Sequence, residues 1–145
     1  MNKNTSECAC SAAPALIFPC SGSADVGEIS DRIARKLTRE GVGKMFCLAG
    51  VGAGLSGFVG SAQAARINIT IDGCTTACSR KVLENIGIKP FSFVLTDMGL
   101  VKGKAHVDEQ SINKLSEEIK KTITERDKDA QKEKSPSATG GCCPS

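Results

Sequence analysis

Short apolar runs alternate with amphipathic segments along most of the chain. The runs cover residues 15–19, 44–49, 66–71 and 91–96, and each has the length of a buried strand. Two of them end next to a cysteine or a glycine, which are common where a strand gives way to a turn. The pattern therefore predicts four strands with helical segments between them.

Helical periodicity and stop signals fill the intervals between these runs. The first helix is predicted to begin near Asp25, which forms a capping-box pattern with Glu28, and to stop at Gly41. A second helix is predicted over residues 55–65 and a third over residues 74–85. This order of elements predicts an α/β fold: a small three-layer, Rossmann-like domain with a mainly parallel four-stranded sheet.

Composition divides the chain into a body and three flanking segments. Residues 1–13 are predicted to be a flexible lead that contains cysteines, and residues 14–106 the α/β body. Residues 107–127 are predicted to form an amphipathic helix that docks on the body, and residues 128–145 a disordered tail ending in a Cys-Cys pair. The helix has one apolar face, formed by Ile112, Leu115, Ile119 and Ile123.

Composition and hydrophobic pattern argue against two classes of partner, nucleic acid and the membrane. The net charge is +3 with acids and bases interspersed, and the chain has no Trp or Tyr, so neither a phosphate-tracking stripe nor a stacking platform for nucleic acid is expected. No apolar stretch approaches the roughly 20 residues of a membrane span. The N-terminus lacks the basic region of an export signal, and we expect a cytoplasmic protein. The sequence indicates no particular protein partner.

Eight cysteines in 145 residues are the main chemical signal. In a reducing cytosol such clusters bind metal or do redox work more often than they form disulfides. Cys20 follows the first predicted strand, Cys47 lies near the end of the second and Cys74 comes after the third, so a parallel sheet brings them to one edge. Cys78 lies four residues after Cys74, on the same face of the predicted third helix. Four soft thiolates of this kind suit a tetrahedral zinc site.

Two other interpretations of these thiols remain open. Cys47 also fits a small buried hydrophobe inside a strand. Cys20 and Cys74 each stand where a helix is predicted to begin, and the positive end of a helix favours a reactive thiolate. The pairs Cys8/Cys10 and Cys142/Cys143 are predicted to be exposed accessory thiols or dispensable appendages.

The combined motifs resemble the DGC domain family. The resemblance rests on Asp72-Gly73-Cys74 with Cys78 after it, on Cys20-Ser21-Gly22, and on Cys47-Leu48-Ala49-Gly50. It covers about residues 16–104. Members of that family are described as zinc-binding proteins with four characteristic cysteines, so the resemblance implies Cys20, Cys47, Cys74 and Cys78 as the metal ligands. It implies no particular reaction.

Three competing motifs are weaker. The run Gly52-Ala-Gly54-Leu-Ser-Gly57 matches a dinucleotide-binding fingerprint, but the chain lacks a second mononucleotide half and a plain glycine-rich turn is favoured. The segment after Cys20 begins like a phosphatase loop, yet Val26 stands where the required Arg should be. His106, the single histidine, is interpreted as part of a surface connector, and Asp72, Asp97, Lys102 and Lys104 as capping or solvated groups.

These observations together favour a binding role. We predict a cytosolic protein that holds zinc through the four body cysteines at the C-terminal edge of a parallel sheet, with accessory thiols at both termini. The alternative is a thiol-dependent oxidoreductase or metal-handling enzyme that uses Cys20 or Cys74 as a reactive thiolate. The chain contains no complete catalytic constellation, which favours the first interpretation.

Overall fold

A four-stranded sheet forms the centre of the computed structural model, which describes residues 13–133 and side chains as far as residue 126. The strand order is β2-β1-β3-β4, and every neighbouring pair is parallel. The strands are β1 (Ala15–Pro19), β2 (Lys44–Met45), β3 (Ile67–Asp72) and β4 (Phe91–Val94). The predicted α/β fold with a parallel sheet is confirmed. The Cys8/Cys10 and Cys142/Cys143 pairs lie outside the described residues.

Helices cover both faces of this sheet. They are α1 (Asp25–Arg39), α2 (Leu48–Gly52), α3 (Ser56–Ala64), α4 (Cys78–Asn85) and α5 (Glu109–Glu133). Side chains alternate along β1, so Ile17 points into a core shared with α1 and α5 while Phe18 joins a second core under α2, α3 and α4. The three-layer arrangement thus follows from the two-residue period of the strands.

Helix α5 packs on α1 through its apolar face. Its four inward residues, Ile112, Leu115, Ile119 and Ile123, are at most 4% exposed. Lys120 Nζ lies 3.0 Å from a carboxylate oxygen of Glu40, and the Arg126 guanidinium lies 4.5 Å from the centre of the Phe91 ring. The helix continues to Glu133, beyond the predicted end at residue 127. Among the described residues, no helix is long and apolar enough to cross a membrane.

The second strand is much shorter than predicted. It ends at Met45, and residues 48–52 form the short helix α2 instead of the end of a strand. The Phe46 amide still donates to the Ile17 carbonyl at 2.8 Å, after which the chain turns and the Cys47 sulfur caps α2. The Phe46 ring packs against the Phe18 ring with centroids 5.9 Å apart. Phe46 therefore contributes to the core although it lies beyond the end of β2.

The helix after β3 begins later than predicted. It starts at Cys78 instead of Cys74, because Ala77 has a left-handed backbone with φ 51° that interrupts any helix from residue 74. Cys74 and Cys78 therefore do not share a helix face, and the prediction that they do is wrong.

The capping box predicted at the start of α1 is also wrong. Ala24 is the N-cap residue, and Asp25 is the first helical residue. Glu28 pairs with Arg32 at 2.7 Å, so it does not reach back to the backbone of the first turn. The Asp25 carboxylate instead binds the backbone of a distant loop at Gly103.

Candidate functional site

The strand order reverses between β1 and β3, and the carboxyl edge at this position, called the crevice, is where open α/β sheets usually bind ligands. The chain leaves β1 toward α1 on one face and leaves β3 toward α4 on the other, which is the arrangement that opens a ligand-binding crevice in α/β sheets. Cys20 directly follows β1, and its amide donates to the Ile71 carbonyl at 2.8 Å. Cys74 follows β3 by two residues. Both thiols therefore stand beside the point where the strand order reverses.

Cys47 lies on a cleft next to this crevice. The cleft has a volume of about 650 Å³, and its walls include Cys47 together with Pro19 and Ser21, the two neighbours of Cys20. Val82 of α4 lines the same cleft. Because Val82 stands four residues after Cys78, these two residues occupy the same side of α4. Contrary to the buried-hydrophobe alternative, Cys47 is exposed.

The Cys47 sulfur accepts a hydrogen bond from the backbone. The donor is the Gly50 amide, at 3.3 Å, in the first turn of α2. The exposed thiol is thus held in a polar setting at the edge.

Two glycines allow the loops that carry Cys20 and Cys74 to pack against α1. A Cβ atom on Gly73 would lie 2.8 Å from the backbone of Val26, and one on Gly27 would lie 2.6 Å from the carbonyl oxygen of Gly22. Real Cβ atoms do not approach backbone atoms so closely. The glycine of the Asp-Gly-Cys motif is therefore a packing requirement of the crevice.

Asp72 caps the helix that follows the motif. Its buried carboxylate accepts hydrogen bonds from the amides of Ser79 at 2.8 Å and Arg80 at 3.1 Å. These amides belong to the first turn of α4, where they have no partner within the helix. Asp72 therefore fixes the start of α4, and with it the position of Cys78, instead of lying open as a ligand.

Cys74 has the most polar surroundings of the candidate thiols. Its sulfur lies 3.5 Å from the Thr76 hydroxyl oxygen and 3.7 Å from the Lys102 Nζ. Hydrogen bonds with the side chain and backbone of Thr76, reinforced by the charge of Lys102 and opposed by desolvation, hold the pKa of Cys74 below its ordinary value. Lys102 is exposed, as predicted for a surface charge, and it is in addition a partner of Cys74.

Lys102 belongs to a loop that α1 holds in place. This edge loop, residues 95–108, follows β4 and passes over the carboxyl edge. The Asp25 carboxylate accepts hydrogen bonds from the amides of Gly103 at 2.9 Å and Ala105 at 2.8 Å. The hydrogen bond from Gly103, followed by those from Val26 and Ala105, lowers the pKa of Asp25 against a smaller opposing effect of desolvation. Lys102 is adjacent to the anchored Gly103.

We expect Asp25→Ala to release the edge loop. The amides of Gly103 and Ala105 then lose their acceptor and should exchange hydrogen with solvent faster, which two-dimensional NMR measures residue by residue. In the unsubstituted protein the anchoring is present above the ordinary Asp pKa and is lost only as the pH falls through the lowered folded pKa. Asp97→Ala, on the same loop, is the control, and equal exchange in both variants would contradict the anchoring role.

The four candidate cysteines belong to one edge of the sheet, but their side chains are not arranged as a metal site. Cys20, Cys47, Cys74 and Cys78 are all free, with Cys20 and Cys74 half-buried and Cys47 and Cys78 exposed. Within residues 13–126, no group of three or more His, Cys, Asp or Glu side chains is arranged to hold a metal ion. The donor chemistry fits zinc, but four-thiolate coordination would require side-chain rotation and movement of the surrounding turns.

The competing motifs have ordinary structural roles. The glycine run of the fingerprint joins α2 to α3, since Gly52 ends one helix and Gly57 lies in the next. A dinucleotide fingerprint needs a strand before its turn, and that context is missing here. His106 is exposed on the edge loop.

The fold and the edge together define a small three-layer α/β domain with free cysteines around its switch-point crevice. The DGC domain family model matches residues 16–119, and the chain belongs to this family. The chain is similar to the Anaerobic and virulence modulator AnvM of Pseudomonas aeruginosa, with 28% identity over 111 residues, which covers 75% of this chain and 85% of AnvM. No solved structure gives a significant match.

Proposed function

We propose that this protein is a cytosolic metal-binding protein that holds one zinc ion through Cys20, Cys47, Cys74 and Cys78. The observation that carries the proposal is the position of three of these cysteines after the neighbouring parallel strands β2, β1 and β3, at one edge of the sheet. Adjacent strands lie about 4.8 Å apart, so β2 and β3, on either side of β1, are separated by roughly 10 Å. In this proposal, the turns after the strands move to bring the four sulfurs around one ion.

The chemistry of the donors favours zinc over harder cations. Thiolates are soft ligands that select zinc, copper(I) and iron–sulfur clusters, whereas magnesium and calcium require oxygen. Zinc would supply a rigid tetrahedral link between the turns after β1, β2 and β3 and the first turn of α4. The residues that would hold it also need deprotonation, and the hydrogen bonds of Thr76 together with the charge of Lys102 favour the thiolate form of Cys74.

The proposed role is regulatory and not catalytic. A closed shell of four thiolates leaves no position for water, whereas a catalytic zinc site normally keeps one open. AnvM, with which this chain shares 28% identity, is named a modulator, which supports a regulatory role here. In this proposal, metal occupancy changes the packing of the edge loop and α4, and so changes the surface that the protein presents.

Cobalt(II) substitution tests the coordination directly. Titration of cobalt into the reduced, metal-free chain is expected to give intense visible bands typical of a tetrahedral site and thiolate charge-transfer bands in the near ultraviolet. The absence of Trp and Tyr leaves that region with little protein background. Weak bands typical of octahedral cobalt would contradict the proposed four-thiolate site.

A second candidate function rests on the surroundings of Cys74. Because Thr76 and Lys102 lower the pKa of this half-buried thiol, it carries more thiolate near neutral pH than an ordinary cysteine. A thiol-dependent enzyme would use such a group as a nucleophile. The two candidates differ in what happens to the metal content and the fold when Cys74 is removed.

A further inference from the structure

The edge loop brings a positive charge to a cysteine that is distant in sequence. Lys102 Nζ lies 3.7 Å from the Cys74 sulfur, across 28 positions of the chain. The backbone beside this lysine is held in place, because the amides of Gly103 and Ala105 donate hydrogen bonds to the Asp25 carboxylate. Two turns within the loop, closed by Leu100 N to Leu95 O at 3.2 Å and Lys104 N to Val101 O at 3.0 Å, fix it further.

A centre made of one zinc ion and four thiolates has a charge problem that such a lysine can relieve. Zinc contributes two positive charges and the four thiolates four negative ones, so the centre carries a net charge of about −2. Carboxylates near the edge cannot neutralise this negative charge, because they are negative themselves, so a nearby cation is needed. Groups that contact a ligand atom from outside tune the metal site, and their loss typically weakens metal affinity about 10–100-fold.

We propose that Lys102 is a positioning residue of the thiolate centre, which acts through Cys74 and compensates the negative charge that metal binding creates there. The inference rests on the proposed metal-binding function and deepens it by naming what regulates the affinity. Asp25 contributes indirectly, because it holds the backbone next to Lys102 over the crevice. Release or modification of this lysine would then lower metal retention without removing a ligand.

The neighbouring lysine on the same loop provides a matched control. Lys104 is exposed like Lys102 and has the same charge, but no contact between Lys104 and any candidate thiol is present among the described residues. If the lysines affect zinc affinity only through general surface charge, their effects on that affinity should be equal. If the effect depends on the contact with Cys74, only Lys102 should change the zinc affinity.

The test measures zinc dissociation constants on the full-length chain with Cys8, Cys10, Cys142 and Cys143 changed to serine. Competition with a chromophoric chelator is applied to this parent and to its K102M, K102R and K104M variants. We expect K102M to bind zinc about tenfold more weakly, the lower end of the usual range because Lys102 is exposed. The zinc dissociation constants of K102R and K104M should stay within about twofold of that of the parent. K102R keeps the positive charge at position 102, and K104M keeps the contact between Lys102 and Cys74.

Salt dependence separates an electrostatic role from a structural one. The difference between the parent and K102M should shrink at about 1 M salt, where the screening length falls to roughly 3 Å. K102M binding as tightly as K104M, or K102R binding as weakly as K102M, would overturn the inference while leaving the metal site intact. A parent that binds no zinc refutes the proposed function, and the role of Lys102 falls with it.

Discussion

Changing Cys20, Cys47, Cys74 or Cys78 singly to serine is expected to lower the zinc content and the thermal stability of the reduced protein together. Loss of one thiolate leaves an incomplete shell and forfeits part of the ~10–16 kcal/mol apparent binding free energy of structural zinc. A small domain has only about 5–15 kcal/mol of total stability, so some variants should unfold near physiological temperature. Elemental analysis and thermal melts on the same samples measure both effects.

The terminal cysteines supply the internal control for this series. Serine at Cys8, Cys10, Cys142 or Cys143 should reduce the number of accessible thiols and leave the zinc of the body unchanged. The same series decides between the two candidate functions. A Cys74→Ser variant that keeps full zinc content and full stability but loses the thiol reactivity of the protein would place Cys74 in catalysis and contradict its role as a ligand.

Gly73→Ala is expected to lower the stability of the protein substantially, although it changes neither a charged group nor a thiol. The added Cβ would lie 2.8 Å from the Val26 backbone, so either the turn after β3 or the start of α1 must move. Overpacking of this kind costs about 1–3 kcal/mol, and we expect the upper end because the obstacle is backbone. At roughly 2–4 °C per kcal/mol for a chain of this size, the midpoint of thermal unfolding should fall by about 10 °C.

Gly60→Ala is the matched control for that substitution. Gly60 lies within α3 and is exposed, and a Cβ added there would meet no atom within 4 Å. Because Ala is a better helix former than Gly by about 1 kcal/mol, this variant should melt at the same temperature or higher. If the Gly73→Ala variant unfolds at the same temperature as the unsubstituted protein, the expectation is wrong, and close packing of the Asp-Gly-Cys turn against α1 does not require glycine at position 73.

Local sequence patterns predicted the fold where one signal dominated. The alternating β-branched run over residues 66–71 predicted β3 to within one residue, and the apolar period of α1 predicted its extent to within a few residues. The prediction for the run around Phe46 and Cys47 failed because an apolar stretch of this length fits a strand or a short helix equally well. The aromatic contacts of Phe46 with Phe18 and Phe58 decided between them, and those contacts are tertiary.

The site could be predicted only in part, because several of its contacts join distant residues. Strand ends and cysteine positions were sufficient to place Cys20 and Cys74 at one edge. The contact of Lys102 with Cys74 and the anchoring of Gly103 and Ala105 by Asp25 join residues 28, 78 and 80 positions apart. The start of α4 likewise depends on distant and unusual features. Asp72 caps the helix from seven residues before Ser79, a longer spacing than that of a capping box, and Ala77 adopts a left-handed backbone that its residue type does not indicate.

Zinc stoichiometry of the full-length chain without its terminal cysteines tests the central claim most directly. The chain, with serine at positions 8, 10, 142 and 143, is purified reduced and without chelator, and zinc and protein are quantified on the same sample. We predict about one zinc ion per chain, since the body offers one set of four thiolates. A chain that is folded and reduced but contains no zinc, and takes up none when zinc is added, would contradict the proposed metal-binding function.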